Sequence, residues 1–293
     1  MSTQDNSNAA LPTLVTSEPQ VGKPKSTGVA VDKLEQVLKR FEITIVEAND
    51  LTILQDYEIV IIADDSGSME NPSMPPALRR IGVRNTTRWE ELQATVSNIV
   101  DIAACFDDSG VDVYFLNREP AMGVKGSTDP NFVKAFEAPP DGTTPLTETL
   151  ERVASRSMAE RSVLLFVLTD GEPNGGPDPF KAALAKLIAP NPVGGRKLRA
   201  QLMVCTPMED EVQWLNDMDR DFLEVDVTDD YHTEQQQVLA SNKAPQFTRG
   251  DWCMKAMLGP VSHKFDNWDE RKRTLMEEVR DESKTMCSSC TLQ

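Results

Sequence analysis

The residues of this chain best suited to chemistry are oxygen donors. Asp64-Asp65-Ser66-Gly67-Ser68 sets a carboxylate and two hydroxyls at alternate positions, with a glycine that lets the backbone turn. Side chains so spaced can converge on one point. Hard oxygen donors suit a hard cation, Mg²⁺ before Ca²⁺ or Mn²⁺, and the cluster offers neither the sulfur nor the imidazole that zinc prefers. Two further oxygen-rich stretches follow. One is Thr143-Thr144 within the loop Pro139-Pro140-Asp141-Gly142-Thr143-Thr144-Pro145; the other is Asp170-Gly171.

Each stretch stands at the end of a strand or the start of a helix. Ile59-Val60-Ile61-Ile62 is a short β-branched run, the pattern of a strand buried on both faces in the middle of a parallel sheet. The acidic cluster begins directly after it, and ligands of open α/β sheets sit just beyond the carboxyl ends of strands. Ser162 to Thr169 is the most hydrophobic stretch of the chain and predicts a second core strand ending at Asp170. The threonine loop runs into a helix whose Leu146, Leu150 and Val153 face inward.

Around these elements the chain alternates. Asp32, with Glu35 three residues on, predicts a helix start, and Leu34, Val37, Leu38 and Phe41 share its inner face. Ile43 to Val46 predicts a short strand or turn, and Leu51 and Leu54 a helical turn. A proline-bearing loop, 70–85, is expected to border the acidic cluster. Thr87-Arg88-Trp89-Glu90 is a capping box that opens an amphipathic helix over 88–105. Val111 to Leu116 predicts a strand and 128–137 a short helix. Beyond Asp170 come a helix from Asp178-Pro179 to about Ala189, a strand from Leu198 to Thr206, a helix over 208–218, a strand from Phe222 to Val227 and a helix from Thr233 to Ala240. The expectation is α/β, a three-layer α/β/α fold on a mostly parallel, doubly wound sheet. Residues 1–30 lack periodicity and are expected to be a disordered tail. The division is then a 31–54 helical extension, a 55–242 domain, a 243–285 helical extension (helices near 251–258 and 267–284) and a 286–293 cysteine-containing tail.

With three oxygen-rich loops in this order, the chain resembles the von Willebrand factor type A domain, and the loops resemble its metal-ion-dependent adhesion site. The Asp-x-Ser-x-Ser element is Asp64-Asp65-Ser66-Gly67-Ser68, the threonine loop is Gly142-Thr143-Thr144-Pro145-Leu146, and the third element is Leu168-Thr169-Asp170-Gly171. The resemblance covers roughly residues 55–240. It implies a Mg²⁺ site, with Mn²⁺ or Ca²⁺ as substitutes, formed by Asp64, Ser66, Ser68, Thr144 and Asp170, with Thr143 as the other threonine in reach. Neutral hydroxyl ligands leave such an ion under-compensated, so a protein partner offering Asp or Glu can complete it. The implied function is metal-bridged protein binding, a scaffold role without catalysis. The alternative is a Mg²⁺-dependent hydrolase or phosphatase on a similar sheet. Against it, Ser66 stands where strand-end phosphatases carry a second aspartate, and the only histidines, His232 and His263, are distant in sequence.

Composition narrows the partners. The 293 residues carry 47 acidic against 30 basic side chains, a formal net charge of −17. Phosphate contacts need clustered Lys and Arg, so nucleic-acid binding is not expected. The five cysteines have no framework spacing, no apolar leader opens the chain and no run spans a bilayer, so the protein is expected to be cytoplasmic. The ending Cys290-Thr291-Leu292-Gln293 has the form of a prenylation box, and Cys287 is placed for a second, palmitoyl chain. A lipid on these cysteines would hold the protein peripherally at the inner face of a membrane.

Overall fold

The computed structural model describes residues 31–74, 79, 84–107, 109–157, 161–189, 197–241 and 246–266. The helices run in chain order as α1 (Val31–Phe41), α2 (Ile45–Asp50), α3 (Arg88–Ala103), α4 (Pro130–Ala135), α5 (Leu146–Ser157), α6 (Pro177–Ile188), α7 (Glu209–Asp221), α8 (Tyr231–Ala240), α9 (Arg249–Leu258) and α10 (His263–Asp266). The strands are β1 (Tyr57–Ala63), β2 (Val111–Phe115), β3 (Ala121–Val124), β4 (Ser162–Thr169), β5 (Leu198–Val204) and β6 (Val225–Thr228). They form one sheet in the order β3-β2-β1-β4-β5-β6. Every neighbouring pair is parallel except β2 and β3. This is the mostly parallel α/β sheet that the alternation of elements predicts.

Strand pleating explains the three layers. Ile59, Ile61 and Ala63 of β1 face one way and pack with side chains of α1, α3 and α9. Val60 and Ile62 face the other way, into a second core with α5, α6 and α7. Residues Ile59 to Ala63 are fully enclosed. Burying each branched aliphatic side chain contributes ~1.5–3 kcal/mol relative to exposure, so helices are needed over both faces. Trp252, Cys253, Met254, Ala256, Met257 and Leu258 of α9 join the same core as α1 and α3.

β1 lies at the centre, with β2 on one side and β4 on the other. Connections leave it in both directions, and that divergence opens a crevice at the carboxyl ends of β1 and β4. The register aligns Ala63 with Leu168, so the next residues, Asp64 and Thr169, emerge side by side.

One local expectation needs correction, and one strand was not anticipated. Where Ile43 to Val46 predicts a strand or turn, Thr44 caps α2 instead. Its side chain accepts from the Glu47 N–H while Glu47 reaches back to the Thr44 backbone. Reciprocal capping outweighs the β-branched pair Ile45 and Val46, which stand 85% and 80% exposed. β3 has no sequence signal: Ala-Met-Gly-Val is too short to show alternation. It is pinned antiparallel to β2, and Asp112 Oδ1 accepts from the Gly123 N–H at 2.8 Å.

Among the described residues no helix is long and apolar enough to cross a membrane. The expected disordered tail, half of the 70–85 loop, the helix at 267–284 and the lipidation candidates Cys287 and Cys290 lie outside the described residues.

Candidate functional site

The end of β1 delivers Asp64 to the crevice fully buried, and hydrogen bonds fix both its oxygens. Oδ1 accepts from the Ser66 N–H at 2.9 Å and Oδ2 from the Thr169 hydroxyl at 2.6 Å. The Asp64 N–H itself donates to Leu168 O at 2.9 Å, continuing the β1–β4 ladder one residue past the strand. Ser68 Oγ donates to Asp170 Oδ1 at 2.8 Å and lies 3.0 Å from Ser66 Oγ. A hydroxyl has one proton, and that of Ser68 goes to Asp170, so Ser66 is the donor to Ser68. Four of the five expected donors thus meet: Asp64, Ser66, Ser68 and Asp170. Asp64, Ser66 and Asp170 form a buried floor, and Ser68 is exposed at its rim.

Thr144 comes to the same end of the sheet through its backbone. The Gly67 N–H donates to Gly142 O at 3.1 Å, joining the threonine loop to the Asp–Ser loop. Asn174, past β4, clasps the loop from the other side: its N–H donates to Thr144 O at 2.9 Å and its Oδ1 accepts from the Thr144 N–H at 3.2 Å. The two threonines differ. Thr143 Oγ1 accepts from Asn174 Nδ2 at 3.0 Å, whereas the hydroxyl chain Ser66–Ser68–Asp170 includes neither threonine. Gly142 is required by geometry. Its φ is +108°, and a Cβ there would stand 2.5 Å from Asn117 Oδ1.

Asp65 faces elsewhere. It is fully buried and paired with Arg118, whose Nε donates to Oδ2 at 2.6 Å, and its Oδ1 accepts from the Asn117 N–H at 2.8 Å. Arg118 also donates to the carbonyls of Ala135, Ala138 and Pro139 and lies 4.9 Å from the centre of the Trp89 ring. Asp65 O in turn accepts from the Asp141 N–H at 2.8 Å. The second aspartate of the cluster is therefore a strut that carries the threonine loop.

Sequence reasoning did not reach Arg88. It is the first residue of α3, 4% exposed, and its Nη1 donates to Asp170 Oδ2 at 2.7 Å. Its Nη2 donates to Glu211 Oε2 at 3.0 Å, an oxygen that also accepts from Thr206 Oγ1 at 2.8 Å. One signal was available: a cation in the first turn of a helix opposes the helix dipole, so another interaction must hold it there.

Electrostatics mark Asp64. Burial above all, then the negative charge of Asp170, pushes its carboxyl up to about 6, with the Thr169 and Ser66 hydrogen bonds opposing the rise. The nearby Cys205 thiol is pushed well above its ordinary range by enclosure and by the two aspartates, so it stays protonated and is a poor metal ligand.

The donor set fits a hard cation. Neighbouring ligands of an octahedral Mg²⁺ with bonds of 2.0–2.1 Å lie about 3.0 Å apart. The Ser66–Ser68 and Ser68–Asp170 oxygen separations, 3.0 and 2.8 Å, are close to that edge. Among the described residues no three His, Cys, Asp or Glu side chains gather into a metal-holding group; here two carboxylates are joined by hydroxyls. Beside the loops, a groove of about 750 Å³ is lined by Arg118, Glu119, Met122, Lys134 and Asp141 among others.

No family model matches the chain, and no curated protein sequence matches it.

Proposed function

We propose that the protein is a type A domain that binds Mg²⁺ through Asp64, Ser66, Ser68, Thr144 and Asp170, with Mn²⁺ or Ca²⁺ as substitutes. Through the cation it takes an Asp or Glu of a protein partner. The observation that carries this is the Ser66–Ser68–Asp170 oxygen chain above the buried Asp64, at the divergence of β1 and β4. Asp64 orients the Ser66 backbone and Asp170 orients Ser68, so both hydroxyls are held in place before any ligand arrives. The engagement of Thr143 by Asn174 favours Thr144 as the threonine donor. A bound Mg²⁺ supplies an electrophilic position that a carboxylate can occupy. The exposed rim at Ser68 and the adjoining groove give a protein surface room to approach.

Binding rather than catalysis is the proposed activity, because the buried Asp64 is held by two hydrogen bonds instead of standing free as a nucleophile. The test is capture of a partner from lysate with and without EDTA, repeated with Ser66→Ala/Ser68→Ala. Capture that chelator and variant both abolish supports the proposal; capture indifferent to both removes it. The protein is further proposed to be cytoplasmic and held at the inner face of a membrane by lipid on Cys290 and Cys287. An unchanged soluble distribution of Cys290→Ser on cell fractionation would dispose of the lipid.

A further inference from the structure

We propose that Arg88 and Glu211 set the charge of the cation centre and act on it with opposite sign, Arg88 preserving its need for a visiting carboxylate. This rests on the cation-binding proposal above.

Two carboxylates form the floor, Asp64 and Asp170, since Asp65 is spent on Arg118. Arg88 sits on the far oxygen of Asp170, Oδ2, and leaves Oδ1 to Ser68. Counting Asp64, Asp170 and Arg88, and leaving aside Glu211 because its side chain is 44% exposed and screened by solvent, the floor carries one net negative charge. A divalent ion therefore keeps one positive charge in excess, the amount that one external carboxylate cancels. Without Arg88 the two aspartates alone would balance the ion.

Packing does not explain the arginine. It is 4% exposed, and its Nε is buried without a hydrogen-bond partner among the described residues. It also places a cation at a helix N-terminus. A well-packed apolar side chain would avoid both costs. The contact that distinguishes an arginine here is the 2.7 Å bond to Asp170.

Glu211 works against it. Its side chain is 44% exposed, Thr206 steadies it, and it shares the Arg88 guanidinium with Asp170. Part of the arginine's field is thereby diverted from the floor. Arg88 and Glu211 are positioning residues, acting on the centre through Asp170.

Opposite signs separate this from a merely structural role, which would weaken everything together. Mg²⁺ affinity is read by calorimetry. Occupancy of the open position is read by water-proton relaxation of the Mn²⁺-loaded protein titrated with acetate. For Arg88→Gln, Mg²⁺ binds at least about ten-fold more tightly, the lower bound that water-like screening sets for one unit charge acting on a divalent ion across a single carboxylate, and acetate binds more weakly. For Glu211→Gln, Mg²⁺ binds about two- to three-fold more weakly and acetate more tightly, the smaller effect reflecting solvent screening. Circular dichroism checks that each variant is folded. If Arg88→Gln does not fold, Glu211→Gln alone decides: a weaker Mg²⁺ and tighter acetate support the proposal, and any other pair of shifts overturns it. If the wild-type protein binds and both variants weaken metal, or neither moves it, this inference falls while cation binding stands. If the wild-type protein takes up neither ion, both fall.

Discussion

Replacing Asp64 by asparagine should make the metal-free protein more stable, not less. Asp64 is 0% exposed, and its carboxyl is raised from 3.8 to about 6 by burial and by Asp170. That difference corresponds to about 3 kcal/mol of destabilisation once the group is ionised in the fold. The sign follows from proton counts. Because the folded state holds the proton more tightly than the unfolded chain, stability falls as pH rises from about 4 to about 6 and is flat above. Asparagine removes the charge. It keeps an acceptor for the Ser66 N–H but requires the Thr169 hydroxyl to turn, at a cost of about 1 kcal/mol. The net gain at about pH 7.5 without divalent ion is then about 2 kcal/mol, and it disappears near pH 4. Urea denaturation of both proteins at the two pH values, in chelator, measures it. Adding millimolar Mg²⁺ should stabilise the wild-type protein alone, and more weakly as pH falls through about 6. A variant less stable than wild type at both pH values, or a difference independent of pH, would refute the strained-carboxylate reasoning.

The two threonines should separate. Thr144→Ala should weaken Mg²⁺ binding in calorimetry, whereas Thr143→Ala should cost only the Asn174 hydrogen bond, about 1 kcal/mol of thermal stability. Gly142→Ala forces a Cβ against Asn117 at a φ of +108° and should cost about 1–3 kcal/mol while reducing metal affinity, measured by urea denaturation and Mg²⁺ titration together. Arg118→Ala leaves Asp65 buried without its cation and should destabilise by about 3–5 kcal/mol in the same denaturation assay; Asp65→Asn in that background should recover part of the loss.

What the sequence disclosed and what it concealed divide along physical lines. The run Ile59 to Ile62 announces a strand enclosed on both faces because β-branched side chains without polar alternation have no other stable place. Thr87 and Glu90 announce the start of α3 because reciprocal capping is local, complete within four residues. Asp64, Ser66, Ser68 and Asp170 were legible as one cluster because Asp64 and Asp170 each directly follow a strand, the two serines lie in the loop just after Asp64, and parallel neighbours end together. The pairing of Arg88 with Asp170 was not: it spans 82 residues and depends on which helix covers which strand. Nor was the structural role of Asp65, since beside Asp64 its residue type says nothing of which face it takes until Arg118 is placed. β3 and the start of α2 were missed for lack of length, a four-residue strand and a six-residue helix being too short for periodicity to register.

The central claim is that the hydroxyl chain holds a divalent cation. Calorimetric titration of the purified protein with Mg²⁺, beside the Ser66→Ala/Ser68→Ala variant under the same conditions, tests it most directly. Saturable uptake of one ion per chain, lost in the folded variant, is the predicted result. No uptake by the wild-type protein, or equal uptake by both, would contradict it.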